Sequence, residues 1–353
     1  MGSLTEISVV TRKSIIFITI AVIILILIRL SIKVGIDYWK ATHPVPIPPP
    51  NVFFGKIPSP KFPQSATTSS NLKFTLENIE GRPPETTSAG RVYAIIQKTP
   101  TILSSQRAKA FASKLGFKNE PEIISPTYYK FINDQDKLLT LEIDIVTMNF
   151  KLKYDYTKNP QIFYQGNIRS KDQAINDVKS YVGNNGLFDS FTLNGKITGD
   201  LLKFDMATKT FSPASSLSNT DAIRVNFFRS DLDGLKVLPP KFNKSLTYVI
   251  YSAASSNNWK YPEIIYTYWP IDYSSFATYP LRSATTAWQN LIDGEATIID
   301  MGRNNPDNII IRNIYLAYYD SEEPQLYLQP IFVFEGDNNF VAYLPAVDNQ
   351  WLD

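Results

Sequence analysis

The stretch LRSATTAWQNLIDGEATI (281–298) has the outline of a short helix with a serine at its head and a glycine at its foot. The Ser283 hydroxyl suits the free N–H groups of a helix start. Gly294 suits the left-handed turn that ends one. The outline recurs in LSSQRAKAFASKLGF (103–117) and IRSKDQAINDVKSYVG (168–183). Aligned on Ser104, Ser170 and Ser283, each segment has alanine four residues on (Ala108, Ala174, Ala287) and an apolar residue at plus eight (Ala112, Val178, Leu291). Such positions share a helix face, and alanine lets that face come close to a sheet. The three alanines are therefore expected to be buried against strands. Gln173, three residues after Ser170, occupies a capping-box position. Gly116 and Gly183 are the expected stops of the two earlier helices.

A β-rich stretch follows each helix. TYYKFIN, LLTLEIDIV and NFKLKYDY follow the first, with a hairpin turn at Asn133, Asp134, Gln135 and Asp136. SFTLNG, DLLKFD, AIRVNFF, LTYVIYS and EIIYTYW follow the second. NIIIRNIYLAYY, QLYLQPIFVFEG and FVAYLPAV follow the third, with a turn at 336–339. Pro330 inside a strand points to a sheet edge or a bulge. The predicted fold class is α+β: an N-terminal transmembrane helix, then two or three units of a short helix packed on an antiparallel β-sheet. The expected divisions are a tail and anchor (1–40), a proline-rich tether (41–64), a first α+β domain (65–165), a second, β-rich domain (166–281) and a helix-plus-meander module packed on the second domain (282–353).

The anchor rests on SIIFITIAVIILILI (14–28), which carries no charge, and on its continuation to Ile32, broken only by Arg29. As a helix the whole run is about 28 Å long, close to the hydrocarbon thickness of a bilayer. Arg29 can snorkel to the headgroups, with Tyr38 and Trp39 beyond it at interfacial depth. No small-x-small pair follows, so an uncleaved anchor is favoured over a cleaved signal peptide. Basic residues flank both ends and do not fix the orientation. A short tail before a long following region favours the tail inside and the domain outside the cytoplasm. HPVPIPPPNVFFGKIPSPKFP (43–63) holds 8 of the 24 prolines and reads as an extended spacer. Its VFFGKI (52–57) is apolar enough to lie along the first domain.

Composition bounds the chemistry. The 353 residues include 20 Tyr, 21 Phe and 5 Trp, which favours β structure. A net charge of +2 gives no basic stripe for nucleic acid. There is no cysteine, so disulfides, zinc-thiolate sites and thiol nucleophiles are excluded. His43, the single histidine, lies in the tether, so a Ser-His-Asp triad or a His-rich metal site cannot be built from this chain alone. No cofactor or metal is expected.

A helix with S-x-x-x-A followed by paired strands resembles PepSY-like domains. The closing stretch IYLAYYDSEEPQLYLQPIFVFEGDNNFVAYLPAV (314–347) is similar to the last module of YycH/YycI-type regulators. The resemblance implies a single-pass membrane protein with tandem extracytoplasmic domains that acts by binding a sensor kinase.

The residues themselves carry no catalytic motif in its required context. Ser70 and Lys73 have S-x-x-K spacing, but on a strand start rather than a helix. Asp231, Leu232, Asp233 and Gly234 resemble half a calcium loop and read as a turn. Glu322 and Glu323 before Pro324 read as a solvated loop, and the sequence does not place a distant pair such as Asp272 and Glu295. The aromatic tract YTYWPIDYSSFATY (266–279) supplies the candidate partner contacts, Trp269, Tyr273 and Tyr279. The other reading of that tract is a hydrophobic brace between the second and third units. The expected function is a membrane-anchored, extracytoplasmic, non-catalytic binding or regulatory protein of the cell envelope, with another envelope or membrane protein as partner. The alternatives are a carboxylate-dependent cell-wall enzyme and a structural subunit of an envelope complex.

Overall fold

The computed structural model describes residues 4–42, 49–63, 72–305 and 307–353, in two compact units, Met1–Pro48 and Pro49–Asp353. Helix α1 (Leu4–Thr42) makes up the first. Its described apolar side chains, among them Ile23, Leu25, Leu27 and Leu30, are exposed. Among the described residues no helix is long and apolar enough to cross a membrane. The side chains of 14–17, part of the expected span, lie outside the described ones, as do 43–48 of the tether with His43.

The second unit opens with β1 (Phe74–Leu76), β2 (Ala89–Ile95) and α2 (Ser104–Lys114). A meander follows: β3 (Glu122–Ser125), β4 (Tyr128–Ile132), β5 (Leu139–Asp144) and β6 (Phe150–Tyr154). Helices α3 (Lys171–Asn184) and α4 (Ser190–Asn194) lead into β7 (Ile197–Asp205), β8 (Thr210–Pro213), β9 (Ala222–Phe227), β10 (Val237–Leu238) and β11 (Thr247–Ser252). Then come α5 (Asn257–Lys260), β12 (Glu263–Tyr266) and β13 (Ile271–Pro280). Helix α6 (Ala284–Ile292), β14 (Thr297–Asp300), β15 (Ile309–Tyr319), β16 (Tyr327–Leu328), β17 (Pro330–Gly336) and β18 (Val341–Pro345) complete it.

Nine strands form one sheet in the order β3-β4-β5-β6-β12-β11-β9-β7-β8. The strands after α2 cross it in chain order, and of those after α3 the strands β12, β11, β9 and β7 lie beside them in reverse with β8 outside β7, so β6 and β12 pair antiparallel. The expected separation of 65–165 from 166–281 is corrected here. A four-stranded meander ends in an open edge of N–H and C=O groups, and the second set covers it. A six-stranded sheet runs β1-β15-β17-β18-β14 with β10 added on β15, and a small sheet runs β13-β2-β16. Strands β1 and β2, from the expected first domain, thus pair within the C-terminal sheets.

Helices α2 and α3 cover one face of the nine-stranded sheet. Ala108, Ala112, Ala174 and Val178 join Leu141, Leu152, Val225 and Val249 in a single core. Helix α6 buries Ala284, Ala287 and Leu291 with Ile298, Phe332, Phe334 and Leu344. Ala108, Ala174 and Ala287 are all essentially inaccessible. The serine heads differ. Ser170 and Ser283 cap α3 and α6 by accepting from the N–H groups of Gln173 and Thr286 at 3.2 and 3.0 Å. Ser104 is instead the first helical residue, and its buried hydroxyl accepts from the Thr101 N–H at 3.0 Å, bracing the turn before α2. The Gln173 amide reaches forward to Asp177 at 2.6 Å, not back to Ser170. Gly116 and Gly294 take left-handed φ values of +88° and +89°, whereas Gly183 lies within α3 and Gly186 makes the turn.

Two further expectations are corrected. SFTLNG forms α4 because the Asp189 carboxylate accepts from the Thr192 N–H at 2.8 Å, a helix cap. Pro330 opens the interior strand β17, a first position where its missing N–H is tolerated. The 52–57 stretch packs in the C-terminal core, beside Leu72 and Val92 of the expected first domain. Ile57 is fully buried there; its N–H donates to the Trp351 carbonyl at 2.9 Å, and its carbonyl accepts from the Asp353 N–H at 3.0 Å.

Candidate functional site

Alternate residues of a strand point to opposite faces. On the nine-stranded sheet the apolar set turns to α2 and α3, and the other set is largely polar. Pairing register arranges that polar set in rows. One row reads Lys130, Glu142, Lys151, Ile265, Tyr248, Asn226 and Thr198 across β4, β5, β6, β12, β11, β9 and β7. The next reads Ile132, Thr140, Lys153, Glu263, Ile250, Arg224 and Asp200.

Glu263 is at the centre and only 7% exposed. It accepts a short hydrogen bond from the Tyr248 hydroxyl and a long one, 3.5 Å, from Tyr156, and its carboxylate lies 3.8 Å from the Lys153 ammonium. The Arg224 guanidinium lies over the Tyr248 ring, 3.4 Å from its centroid. Arg224 donates to Asn226 Oδ1 at 2.9 Å and to the Ser245 carbonyl at 3.0 Å, and the Asn226 amide donates to Asp200 at 2.8 Å. The chain Tyr156–Glu263–Tyr248–Arg224–Asn226–Asp200 is thus continuous across four strands and the 156 loop. Burial, and then the neighbouring Glu263, push the Tyr156 phenol up to about 12. The same two causes raise Tyr248. Both phenols are donors at neutral pH, and Glu263 accepts from both. Burial pulls Arg224 down, against Tyr248, Glu263 and Asp200, which hold it up.

Three clefts open on this face and share residues. The largest, about 820 Å³, includes Asp200, Arg224, Tyr248 and Glu263, with Asp300 and Asn339 on its far wall. A second, about 260 Å³, lies against 240–246 and includes Lys151, Lys153, Arg224, Lys241 and Lys244. A third, about 490 Å³, spreads over Lys130, Lys137, Lys153 and Tyr156. A concave surface with convergent polar groups held by packing is suited to ligand binding.

The expected contact residues fall elsewhere and serve different ends. Tyr279 is fully buried and donates to the Gly55 carbonyl at 2.8 Å, so a partner cannot touch it; this corrects its assignment. Trp269 packs on the cluster of Tyr93, Ile95, Val237 and Tyr318, with its indole N–H on the Ser321 carbonyl at 2.9 Å, which is a brace between sheets. Tyr273 is 45% exposed and stacks on exposed Phe191. Asp233 sits in a left-handed turn and accepts from Arg91 at 2.9 Å and Tyr93 at 2.7 Å. Glu322 and Glu323 are exposed. Asp272 accepts from Ser274, and Glu295 accepts from Asn290. Lys73 pairs with Asp307 at 3.4 Å, and Ser70 lies outside the described residues. Sequence reasoning did not single out Glu263, Arg224, Tyr248 or Lys153. The available signal was a charge in a largely apolar strand, as in EIIY and AIRVNF.

No family model matches the sequence, and no curated protein matches it. The chain is similar to a crystal structure of an uncharacterised protein from Eubacterium rectale ATCC 33656, at 9% identity and a TM-score of 0.39, over 73% of this chain and 82% of that one.

Proposed function

We propose that this chain is a membrane-anchored, extracytoplasmic binding or regulatory protein of the cell envelope, that it acts without catalysis, and that the polar face of the nine-stranded sheet is its receptor surface. The observation that carries this reading is the continuous network around Glu263. Its acids are held as acceptors and its phenols as donors, an arrangement that fixes shape and charge for recognition. The apolar run 14–32 supports the anchor. A helix with Ile and Leu exposed at successive positions calls for an apolar surrounding, which a bilayer offers. The resemblance to YycH/YycI-type regulators makes the partner another membrane or envelope protein. A glycosidase-like reading fits less well, because Glu263 and Asp200 are both engaged by donors.

The absence of cysteine makes an engineered thiol a unique handle. In cells without an outer barrier, a membrane-impermeant maleimide is expected to label a Lys179→Cys variant and to leave a Ser3→Cys variant unlabelled until the cells are lysed. Labelling of Ser3→Cys alone in intact cells contradicts the orientation.

A further inference from the structure

The cleft against 240–246 has an excess of positive charge that the fold does not use. Lys151, Lys153, Arg224, Lys241 and Lys244 line it, and Glu322 is the carboxylate among its lining residues. Lys151, Lys241 and Lys244 are exposed and, among the described residues, have no ion-pair partner. Glu142 lies directly across the strand pair from Lys151, yet turns to Lys130 at 3.9 Å and to the Tyr128 hydroxyl at 3.2 Å. Lys153 and Lys151 are two residues apart on one strand, which separates their stems by about 7 Å on the same face. Cations gathered at that spacing repel one another, and an anion between them relieves the repulsion.

The kind of cation narrows the ligand. Arg224 lies flat on Tyr248 with its Nε and one terminal nitrogen committed to Asn226 and Ser245, so it contributes charge more than a free two-pronged fork for a carboxylate. The lysines are point charges on flexible stems, which respond to charge density and not to planar shape. We infer that this cleft binds a ligand with closely spaced phosphate groups, as a free oligophosphate or a phosphodiester chain. The inference rests on the proposed role of the polar sheet face and adds the class of ligand to it.

The test is calorimetric titration of the full chain, in mild detergent at low ionic strength, with inorganic tripolyphosphate, a short glycerol-phosphate oligomer and citrate. Saturable binding of a phosphate probe is expected, with citrate weaker. The double variant Lys151→Gln/Lys244→Gln should weaken phosphate binding roughly tenfold or more. Lys179→Gln, on the outer side of α3, should leave it unchanged. Tighter binding of the oligomer than of tripolyphosphate identifies the phosphodiester chain as the source, and the reverse order identifies the free anion. Both lysines are solvent-exposed, so an unchanged melting temperature is expected of the double variant, and a lowered one would show that the lysines serve the fold. The inference is overturned if neither phosphate probe saturates, if citrate binds as tightly, or if Lys179→Gln weakens binding equally. Such a result leaves the receptor surface itself standing, since partner cross-linking from this face is measured separately.

Discussion

Arg229 and Asp320, 91 residues apart in sequence, meet at 2.9 Å with both side chains about nine-tenths buried. Arg229 follows β9 of the nine-stranded sheet and Asp320 follows β15 of the six-stranded one, so the pair ties the two sheets together. Tyr268 stacks on the guanidinium at 4.6 Å. Asp320→Ala strands a buried cation and should cost about 3–5 kcal/mol. An apolar replacement of both, Arg229→Met with Asp320→Leu, should recover most of that loss. Urea midpoints of the single and double variants measure this, and a double variant as unstable as the single would show that the pair is worth more than its charge balance.

The three serine-headed helices separate by capping chemistry. Ser283→Ala and Ser170→Ala each remove one hydrogen bond to a free helical N–H and should cost about 1 kcal/mol. Ala287→Glu places a carboxylate in the α6 core and should cost about 3 kcal/mol or more. A melting temperature unchanged in Ala287→Glu would contradict the packing of that face.

Two tyrosines of one aromatic tract should respond differently. Tyr279→Ala opens a cavity in the core and is expected to cost about 3–5 kcal/mol, by analogy with other large aromatic truncations. Tyr273→Ala removes an exposed ring and should leave the melting temperature nearly unchanged. Equal destabilisation by both would mean that Tyr273 is as much a core residue as Tyr279.

Asp177 fastens α3 to the strand below it. Burial raises its carboxyl, but hydrogen bonds from Lys260, Gln173 and Tyr251 outweigh this and hold the pKa below the usual carboxylate range. The stability it contributes is therefore present above the unfolded value of about 3.9 and lost as pH falls through the lower folded value. Asp177→Asn should be less stable than the parent at pH 7, with the gap closing as the medium is acidified below about pH 4. Denaturant titrations across that range check the sign; a gap that widens in acid would contradict the assignment.

Local chemistry was legible in the sequence and long-range register was not. Ser170, Ser283 and the three alanines announce their helices, because capping and face-sharing are properties of neighbours within a few residues. NFKLKYDY shows by alternation alone that Lys151 and Lys153 share a face. That Glu263 stands beside Lys153, and Arg224 beside Asp200, depends on which strands pair. The pairing of β6 with β12 closes two open edges that are far apart in the chain, and no short-range pattern states it. SFTLNG was misread because its strand-like alternation is outweighed by a single cap from Asp189. The aromatic tract was legible as apolar, but its division into core (Tyr279), brace (Trp269) and surface (Tyr273) follows from packing.

The central claim is that recognition occurs on the polar face of the nine-stranded sheet and not on its helix-covered side. Single thiols placed at Lys151 on that face and at Lys179 on α3 can each carry the same short photo-cross-linker in intact cells, since the chain has no other cysteine. The account predicts a discrete adduct with an envelope or membrane protein from position 151 and none from position 179. Adducts from position 179 alone would contradict it.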